Sequence, residues 1–219
     1  MINSFLLSVI TLFSISVYAN VEDEPADIST RSTKFHINYY VNDDLTHTTH
    51  YDLVTKVLDE RAIQSIKSST ISYSASIEQV EILEAYNLKA NGEKISVPET
   101  NYQQRVNSGK DSKDPVFSDR ASLTVVFPDL EVGDSAAYSY NVSQTEPMFP
   151  GQFSVLNSFP STFAYDDVQV TLNVPSNLKA KYQVREMSES IQKQKNRTIY
   201  TWRYQNPAPK KDKRKDFSV

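Results

Sequence analysis

The 219-residue sequence contains no cysteine, only four glycines and three histidines. Without cysteine, the chain has no thiol nucleophile, no disulfide and no thiolate-bound zinc. So few glycines argue against a phosphate-binding loop and against the Gly-x-Ser-x-Gly turn of a serine hydrolase. Three histidines leave little room for a multi-histidine metal centre. These shortages exclude several large enzyme classes and predict a protein without a bound metal ion or cofactor.

What the sequence does contain is typical of a folded domain. Hydrophobic residues make up 39% and charged residues 23% of the chain, which favours a globular protein over a disordered one. The net charge is −4, and basic residues concentrate in Lys210–Lys215, so the rest of the chain is distinctly acidic. An acidic body argues against nucleic acid as a partner.

The first nineteen residues have the pattern of a secretory signal peptide. Met1–Ala19 carries no charged side chain, and small residues, Val17 and Ala19, occupy the −3 and −1 positions of a cut before Asn20. A permanent anchor is the alternative, but the apolar run is at the lower limit for a membrane span. We therefore expect an exported, periplasmic or secreted protein with no transmembrane span after cleavage.

Period-two alternation dominates the rest of the chain. It predicts an antiparallel, all-β sandwich of eight or more strands with at most one or two short helices. The expected division is a signal peptide (1–19), a flexible leader (20–32), a β-sandwich (33–205) and a Pro- and Lys-rich linker or tail (206–219). The helix is expected over Asp59–Lys67, and residues 103–114 are expected to form a mobile loop. Strands are expected over these segments: residues 35–39, 46–58, 76–90, 93–97, 123–127, 136–143, 168–174, 178–185 and 198–204.

Three local signals refine that prediction. Asn91 and Gly92 predict a tight hairpin turn, because both residue types tolerate a positive φ. Gly133 suits a second turn, and the alternation slips near Leu83, as a β-bulge would require.

The polar candidates each have a simple structural explanation. His47 and His50 are three residues apart on an expected strand, which places them on opposite faces and disfavours a metal pair. His50 and Asp52 would share a face, so the geometry permits a His–Asp dyad. The acidic run Asp129, Glu131 and Asp134 could bind calcium, but turn chemistry explains it better.

Aromatic residues recur at period two on two expected strands. They could line a carbohydrate- or peptide-binding face, but cross-strand core pairs are the favoured interpretation. The residues concerned are Tyr138, Tyr140, Tyr200, Trp202 and Tyr204.

The order of several short motifs resembles a bacterial domain of unknown function that stands N-terminal to a transglutaminase-like domain in exported proteins. The motifs are Ala85–Glu93 (AYNLKANGE), Pro115–Asp119 (PVFSD), Val126–Asp134 (VFPDLEVGD), Tyr138–Tyr140 (YSY), Val174-Pro175 and Tyr200–Trp202 (YTW). The resemblance implies a β-rich accessory domain whose catalytic Cys, His and Asp belong to a neighbouring domain that is absent here. It implies no catalytic, cofactor-binding or metal-binding residue in this chain.

The matched motif positions have structural explanations, with Asp119 and Asp134 as the two to test for a polar role. The positions are Gly92, Pro115, Phe117, Asp119, Phe127, Pro128, Gly133, Asp134, Tyr138 and Trp202.

The sequence therefore favours a non-catalytic, exported β module that binds or positions a polypeptide or an envelope component. Its expected partner is a transglutaminase-like domain or an envelope polypeptide, and its basic tail could make weak contact with an anionic surface. Two alternatives stay open. One is a carboxylate-based hydrolase of envelope glycans, and the other is a structural remnant without a ligand.

Overall fold

The computed structural model describes residues 25–106 and 119–211, and within them eleven strands form two sheets. The strands are Thr30–Val41 (β1), His47–Val57 (β2), Ser68–Ser74 (β3), Glu78–Leu88 (β4), Lys94–Ser96 (β5), Tyr102–Val106 (β6), Arg120–Val126 (β7), Ser135–Gln144 (β8), Ala164–Pro175 (β9), Ser188–Lys193 (β10) and Arg197–Asn206 (β11). Within these described ranges, helical structure is limited to Ile63–Ile66 (α1) and two single turns of 3-10 helix, Glu60–Ala62 and Glu99–Asn101. This confirms the all-β, sandwich-like fold class.

The large sheet has eight strands in the order β10-β11-β9-β1-β2-β8-β4-β5, and the small sheet has three in the order β3-β7-β6. One pair, β1 with β9, is parallel, and every other pair is antiparallel. The sheets are thus antiparallel as expected except at this one junction, which the sequence did not indicate because the pairing of distant segments leaves no mark on the alternation of either strand.

The alternation seen in the sequence produces two contrasting faces on the large sheet. Its apolar face carries Ile37 and Tyr39 from β1, paired with Val170 and Leu172 of β9. The residues between them, such as His36 and Asn38, point to the opposite, polar face because successive side chains alternate across a strand. One part of this apolar face is covered by the small sheet and the other part by irregular segments, and this difference divides the molecule into two halves.

The first half, here called the sandwich half, comprises β2, β8 and β4 beneath the small sheet. Phe127 and Val125 are fully buried there, against Ala85 of β4 and Ala136 of β8. The second half, the cleft half, comprises β1, β9 and β11. Two segments without strands or helices, residues 153–163 and 176–187, cover it instead of a second sheet.

Several local expectations are confirmed. Asp59 caps the 3-10 turn before α1 by accepting a hydrogen bond from the Arg61 N–H at 2.8 Å. The register of β4 against β8 shifts between Ile82 and Glu84, which is the bulge expected near Leu83. Gly92, with a φ of 90°, closes the β4–β5 hairpin.

Other expectations are wrong. Residues 178–185 form no strand, and the edge strand β10 lies just after them at Ser188–Lys193. Residues 102–106, expected largely as loop, form β6, and residues 107–114 lie outside the described part. The leader expected over 20–32 overlaps β1 by three residues. Pro25 of the expected leader forms an isolated β-bridge with Lys210 of the expected linker or tail.

Residues 1–24 and 212–219, and with them the expected signal peptide and most of the basic tail, lie outside the described residues. Within the two described ranges, no helix has the length and apolar character that a membrane crossing requires.

Candidate functional site

A cleft of about 1440 Å³ lies between the apolar face of the cleft half and the two segments that cover it. Irregular segments cannot interdigitate with the sheet as evenly as a second sheet does, so space remains beneath them. The sheet side of the cleft is formed by Tyr39, Val41, Val170, Leu172, Val174 and Trp202. The lining is mainly apolar and aromatic, which suits apolar side chains of a ligand.

The segment 153–163 is held on the sheet by aromatic contacts. Phe153 meets the ring of His47 at 5.0 Å, and Phe159 meets Phe35 edge-on at 5.5 Å between ring centroids. Between these anchors the Tyr39 hydroxyl donates a hydrogen bond to Asn157 Oδ1 at 3.1 Å. The side chain of Leu156, at the crest of the segment, is 93% exposed. The segment is therefore pinned at both ends and presents an apolar side chain at the cleft mouth.

The segment 176–187 forms the other part of the cover. Its Tyr182 ring packs edge-on against Trp202 at 5.2 Å and against Tyr200 at 5.4 Å. Ala180 and Val184, two of the alternating residues of this segment, also pack against the core of the sheet, whereas Tyr182 is 45% exposed. The segment packs on the face of the sheet and pairs with no neighbouring strand, so the strand predicted over residues 178–185 does not form.

Trp202, the single tryptophan of the chain, stands at the wall of the cleft. It is 7% exposed, and its indole N–H donates to Glu189 Oε2 of β10 at 2.7 Å. The buried donor is thereby satisfied, which fixes the ring against the cleft. Trp202 is consequently both a core residue and a reporter of what enters the cleft.

A smaller cavity of about 320 Å³, here called the tyrosine pocket, adjoins the cleft and shares Tyr39, Val155 and Leu156 with it. Tyr51 and Tyr140, a cross-strand pair, stack at 4.6 Å between ring centroids and line it. Burial raises the pKa of both phenols, so they are neutral hydrogen-bonding groups. For Tyr140 the favoured interpretation as a member of a cross-strand pair is correct, and its ring also lines this pocket.

His47 brings a polar atom to the tyrosine pocket. Burial lowers its pKa, although Glu78 and Gln144 act in the opposite direction. The imidazole is therefore neutral near pH 7, and its buried Nδ1 has no hydrogen-bond partner among the described residues. The pocket thus combines aromatic rings with a few neutral or acidic polar groups.

Asp134, one of the two positions singled out for a polar role, is a buried structural group. Its carboxylate accepts hydrogen bonds from Lys89 Nζ at 2.6 Å and from the backbone N–H groups of Ala90 at 3.0 Å and Glu131 at 2.9 Å. Burial opposes its ionisation, but these hydrogen bonds outweigh burial and lower the pKa of Asp134 below its ordinary value. Asp134 thereby joins the β4–β5 hairpin to the turn before β8.

The same turn has two further points of attachment. The Asn87 side-chain amide donates to the carbonyl of Pro128. Gly133 has a φ of 94°, and a Cβ built on it would lie 3.3 Å from the Cβ of Ala90. Lys89 supplies the positive charge beside Asp134 and Glu131 at this turn.

The remaining motif positions divide between core and surface. Asp119 accepts hydrogen bonds from the Ser74 and Ser76 hydroxyls, which lowers its pKa and ties the start of β7 to the end of β3. Phe127 is fully buried and packs against Tyr138 at 5.9 Å. Pro115 and Phe117 lie outside the described residues.

On the polar face of the large sheet, several ionisable side chains form pairs. His36 Nε2 lies 2.7 Å from Asp167 Oδ2, and Lys34 Nζ lies 3.0 Å from Asp52 Oδ2. His50 Nδ1 lies 3.0 Å from Asn141 Oδ1, so His50 is bonded to an amide and Asp52 to a lysine. The His–Asp dyad left open by the sequence is therefore not formed. In the described ranges, no three His, Asp or Glu side chains converge as a metal site would need.

The sequence did not reveal the cleft. Residues 145–163 lack period-two alternation, and so they indicated no strand. The available signal was the recurrence of large aromatics in a segment that contains no strand pattern, at Phe149, Phe153, Phe159 and Phe163. The partnership of Lys89 with Asp134 had no local signal, because the two residues are 45 positions apart.

Residues 43–211 match the family model of a domain of unknown function with a solved structure, DUF3857. The chain belongs to the DUF3857 family. This match covers most of the sequence and confirms the family resemblance drawn from the motifs. No curated protein matches the chain.

Among solved structures, the chain is similar to a crystal structure from Parabacteroides distasonis described as a "putative protease", with a TM-score of 0.73 and 13% identity. The likeness covers 84% of this DUF3857 chain and 37% of the Parabacteroides protein, so this chain spans little more than a third of that protein's length. At this identity the likeness establishes a shared fold.

Two other similarities are weak. An M1 zinc metallopeptidase from Deinococcus radiodurans matches over 84% of this chain and 41% of its own, with 12% identity and a TM-score of 0.39. A CBM3a-L domain from a scaffoldin of the Clostridium thermocellum cellulosome matches over 62% of this chain and 82% of its own, with 14% identity and a TM-score of 0.32. These scores support no argument about function.

Proposed function

We propose that this DUF3857 chain is a non-catalytic, exported module that binds or positions a polypeptide or other envelope component for a protease-like or transglutaminase-like domain. The observation that carries the proposal is the cleft of about 1440 Å³, lined by the apolar face of the sheet and closed by irregular segments. Its lining suits apolar side chains of an unfolded or extended chain.

The second support comes from the distribution of polar groups. Two of the described carboxylates with lowered pKa values, the ones singled out for a polar role, hold structure together: Asp134 binds Lys89 and two backbone N–H groups, and Asp119 binds two serine hydroxyls. Groups committed in this way are poor candidates for general acid–base chemistry. A binding role needs only the cleft and its rim.

The third support is the shared fold with a segment of the Parabacteroides protein, which is more than twice as long as the matched region. A domain that forms part of a longer, protease-like chain is well placed to present a polypeptide to its neighbour. The expected signal peptide of residues 1–19 supports the assignment to an exported compartment.

Energy transfer from Trp202 tests the proposal directly, because it is the single tryptophan of the chain and forms part of the cleft wall. The probe is a dansyl-labelled, tryptophan-free pool of nine-residue peptides. We expect saturable transfer, and we expect it to weaken in Leu156→Ser, which removes the apolar side chain at the cleft mouth. Leu83→Ser is the matched control, because Leu83 is 48% exposed on the β4 bulge.

Absence of saturable transfer at millimolar peptide would contradict polypeptide binding. Mass spectrometry of the incubated pool tests the non-catalytic part. Intact peptides are expected, and cleavage that disappears in Asp119→Asn would show an enzyme instead.

A further inference from the structure

The two sheets end in four edge strands, and one of them lacks the features that normally block an edge. Native proteins place charged residues or proline on exposed edges to prevent another chain from pairing there. In the described structure, β5 carries Lys94, β6 carries Arg105, and β10 carries Glu189 and Lys193. The edge strand β3, with the sequence SSTISYS, carries neither charge nor proline over its seven residues.

The register of β3 shows which of its backbone groups face outward. At its two ends, Phe127 N–H donates to Lys67 C=O and Ala75 N–H donates to Asp119 C=O, each at 2.8 Å. In an antiparallel pair the groups of alternate residues point to the partner, so those of Thr70 and Ser72 point away from β7. The order β3-β7-β6 places no described strand on that side of β3.

The tyrosine pocket lies directly beside this edge. Thr70, Ile71 and Ser72 line one side of it, and Val155 and Leu156 also line it. Ile71 packs in the same cluster as Tyr140 and Tyr51. A strand added to β3 would lie about 4.8 Å from it, and its alternate side chains would point into the pocket.

The pocket also indicates the chemistry of the added strand. Its cavity of about 320 Å³ has room for one large side chain, which would meet the stacked rings of Tyr51 and Tyr140. The lining also carries the polar groups of His47, Thr49 and Glu78, so an aromatic side chain with a polar group, such as tyrosine, matches these neighbours best. Because the pocket shares Tyr39, Val155 and Leu156 with the cleft, the rest of an extended chain could continue along it.

We propose that β3 accepts an extended polypeptide segment as an additional strand, with one large aromatic side chain, such as tyrosine, seated in the tyrosine pocket. Main-chain hydrogen bonds to Thr70 and Ser72 supply affinity, and the pocket supplies specificity. This inference rests on the proposed polypeptide-binding function and names how the segment is held.

Amide hydrogen exchange measured by NMR on the full chain tests the pairing, with the same dansylated nine-residue peptide pool as probe. At peptide concentrations that saturate transfer from Trp202, exchange of the Thr70 and Ser72 amides is expected to slow by about tenfold or more, as for an amide that enters a ladder. The Gln104 amide, which points outward from the opposite edge of the same sheet, is expected to stay unchanged.

A protein variant and a modified peptide pool distinguish strand addition to β3 from binding in the cleft alone. Ser72→Pro removes an outward N–H of β3. Val106→Pro removes an outward N–H at an exposed position of β6 and is the matched control, so only the first variant is expected to weaken binding. A peptide pool N-methylated at alternate residues probes the same bonds without altering the protein, and it is expected to lose the protection of Thr70 and Ser72.

The outcomes distinguish this inference from the function on which it rests. Saturable transfer from Trp202 with unprotected β3 amides would overturn strand addition and leave polypeptide binding in place. If neither saturable transfer from Trp202 nor protection of the β3 amides is observed, both strand addition and polypeptide binding are overturned. Protection of Thr70 and Ser72 that rises with protein concentration in the absence of peptide would show that a second copy of this chain occupies the edge, which also overturns the inference.

Discussion

The two halves of the large sheet share one apolar face but differ in what covers it. In the sandwich half the small sheet buries Phe127 and Val125 completely. In the cleft half, irregular segments leave a cleft of about 1440 Å³ and an almost fully exposed Leu156. The strands beneath both covers show the same alternation, so the quality of the packing is decided by the cover. Regular pairing of two sheets yields a dense core, whereas irregular segments anchored at a few aromatics leave room for a ligand.

The difference in packing suggests that the sandwich half stabilises the fold and the cleft half binds a ligand. The family motifs that surround Asp134 and Phe127 lie in the sandwich half, where they join the β4–β5 hairpin to the turn before β8. The proposed binding surfaces lie in the cleft half and at its border with the small sheet. Substitutions in the first half should therefore change stability, and substitutions in the second should change binding.

The largest expected effect is at Phe127, at the centre of the sandwich half. Phe127→Ala removes a fully buried ring and leaves a cavity, so we expect the free energy of unfolding to fall by about 3–5 kcal/mol. Urea denaturation followed by circular dichroism measures the change. A loss below about 1 kcal/mol would show that this core is loosely packed and would remove the contrast between the halves.

The next effect concerns Asp134 and its dependence on pH. Asp134→Asn removes the charge that Lys89 neutralises, and we expect a loss on the order of 2–3 kcal/mol at neutral pH. Because the pKa of Asp134 is lowered in the folded state, its stabilisation is complete above the unfolded pKa of about 4 and is lost as the pH falls through the folded pKa.

The difference in unfolding free energy between wild type and Asp134→Asn should accordingly be largest above pH 4 or so and shrink in more acidic solution. Glu93→Gln, an exposed change of the same charge, is the control and should leave the profile unchanged. A difference that grows on acidification would contradict the assigned role.

A smaller effect is expected at Gly133. Gly133→Ala imposes a side chain at a φ of 94° and crowds Ala90, so a loss of about 1–2 kcal/mol is expected. Gly92→Ala shares the positive φ but meets open space, so its loss should be smaller, about 1 kcal/mol. Thermal unfolding of the two variants shows which substitution costs more stability. A larger loss in Gly92→Ala than in Gly133→Ala would mean that the contact with Ala90 is not tight.

The smallest change in stability is expected at Leu156 in the cleft half. Its side chain is 93% exposed, so Leu156→Ser should alter the free energy of unfolding by no more than about 0.5 kcal/mol. Binding of the dansylated peptide pool should nevertheless weaken by about tenfold, because a ligand would bury this side chain. Equal binding by Leu156→Ser and the control Leu83→Ser would show that the cleft mouth does not contact the ligand.

Elements whose geometry is local could be predicted from the amino-acid sequence. Alternation located β1, β2, β8, β9 and β11, because a strand with one buried face repeats every two residues. Asn91 and Gly92 located the hairpin, and Asp59 located the start of the short helical region, since these residue types satisfy backbone requirements within a few positions. The family motifs were also visible, as they are contiguous in the chain.

Strand pairing and the segments that cover the sheet could not be predicted in this way, because they depend on contacts between distant parts of the chain. Residues 178–185 and β10 (Ser188–Lys193) show the reason most clearly. The first segment alternates but crosses the sheet without a ladder, and the second is exposed throughout yet pairs with β11. Alternation reports that one side is buried, whereas strand pairing depends on backbone groups of a distant partner. The parallel junction of β1 with β9, the ion pair of Lys89 with Asp134 and the cleft above Trp202 all arise from such distant partners.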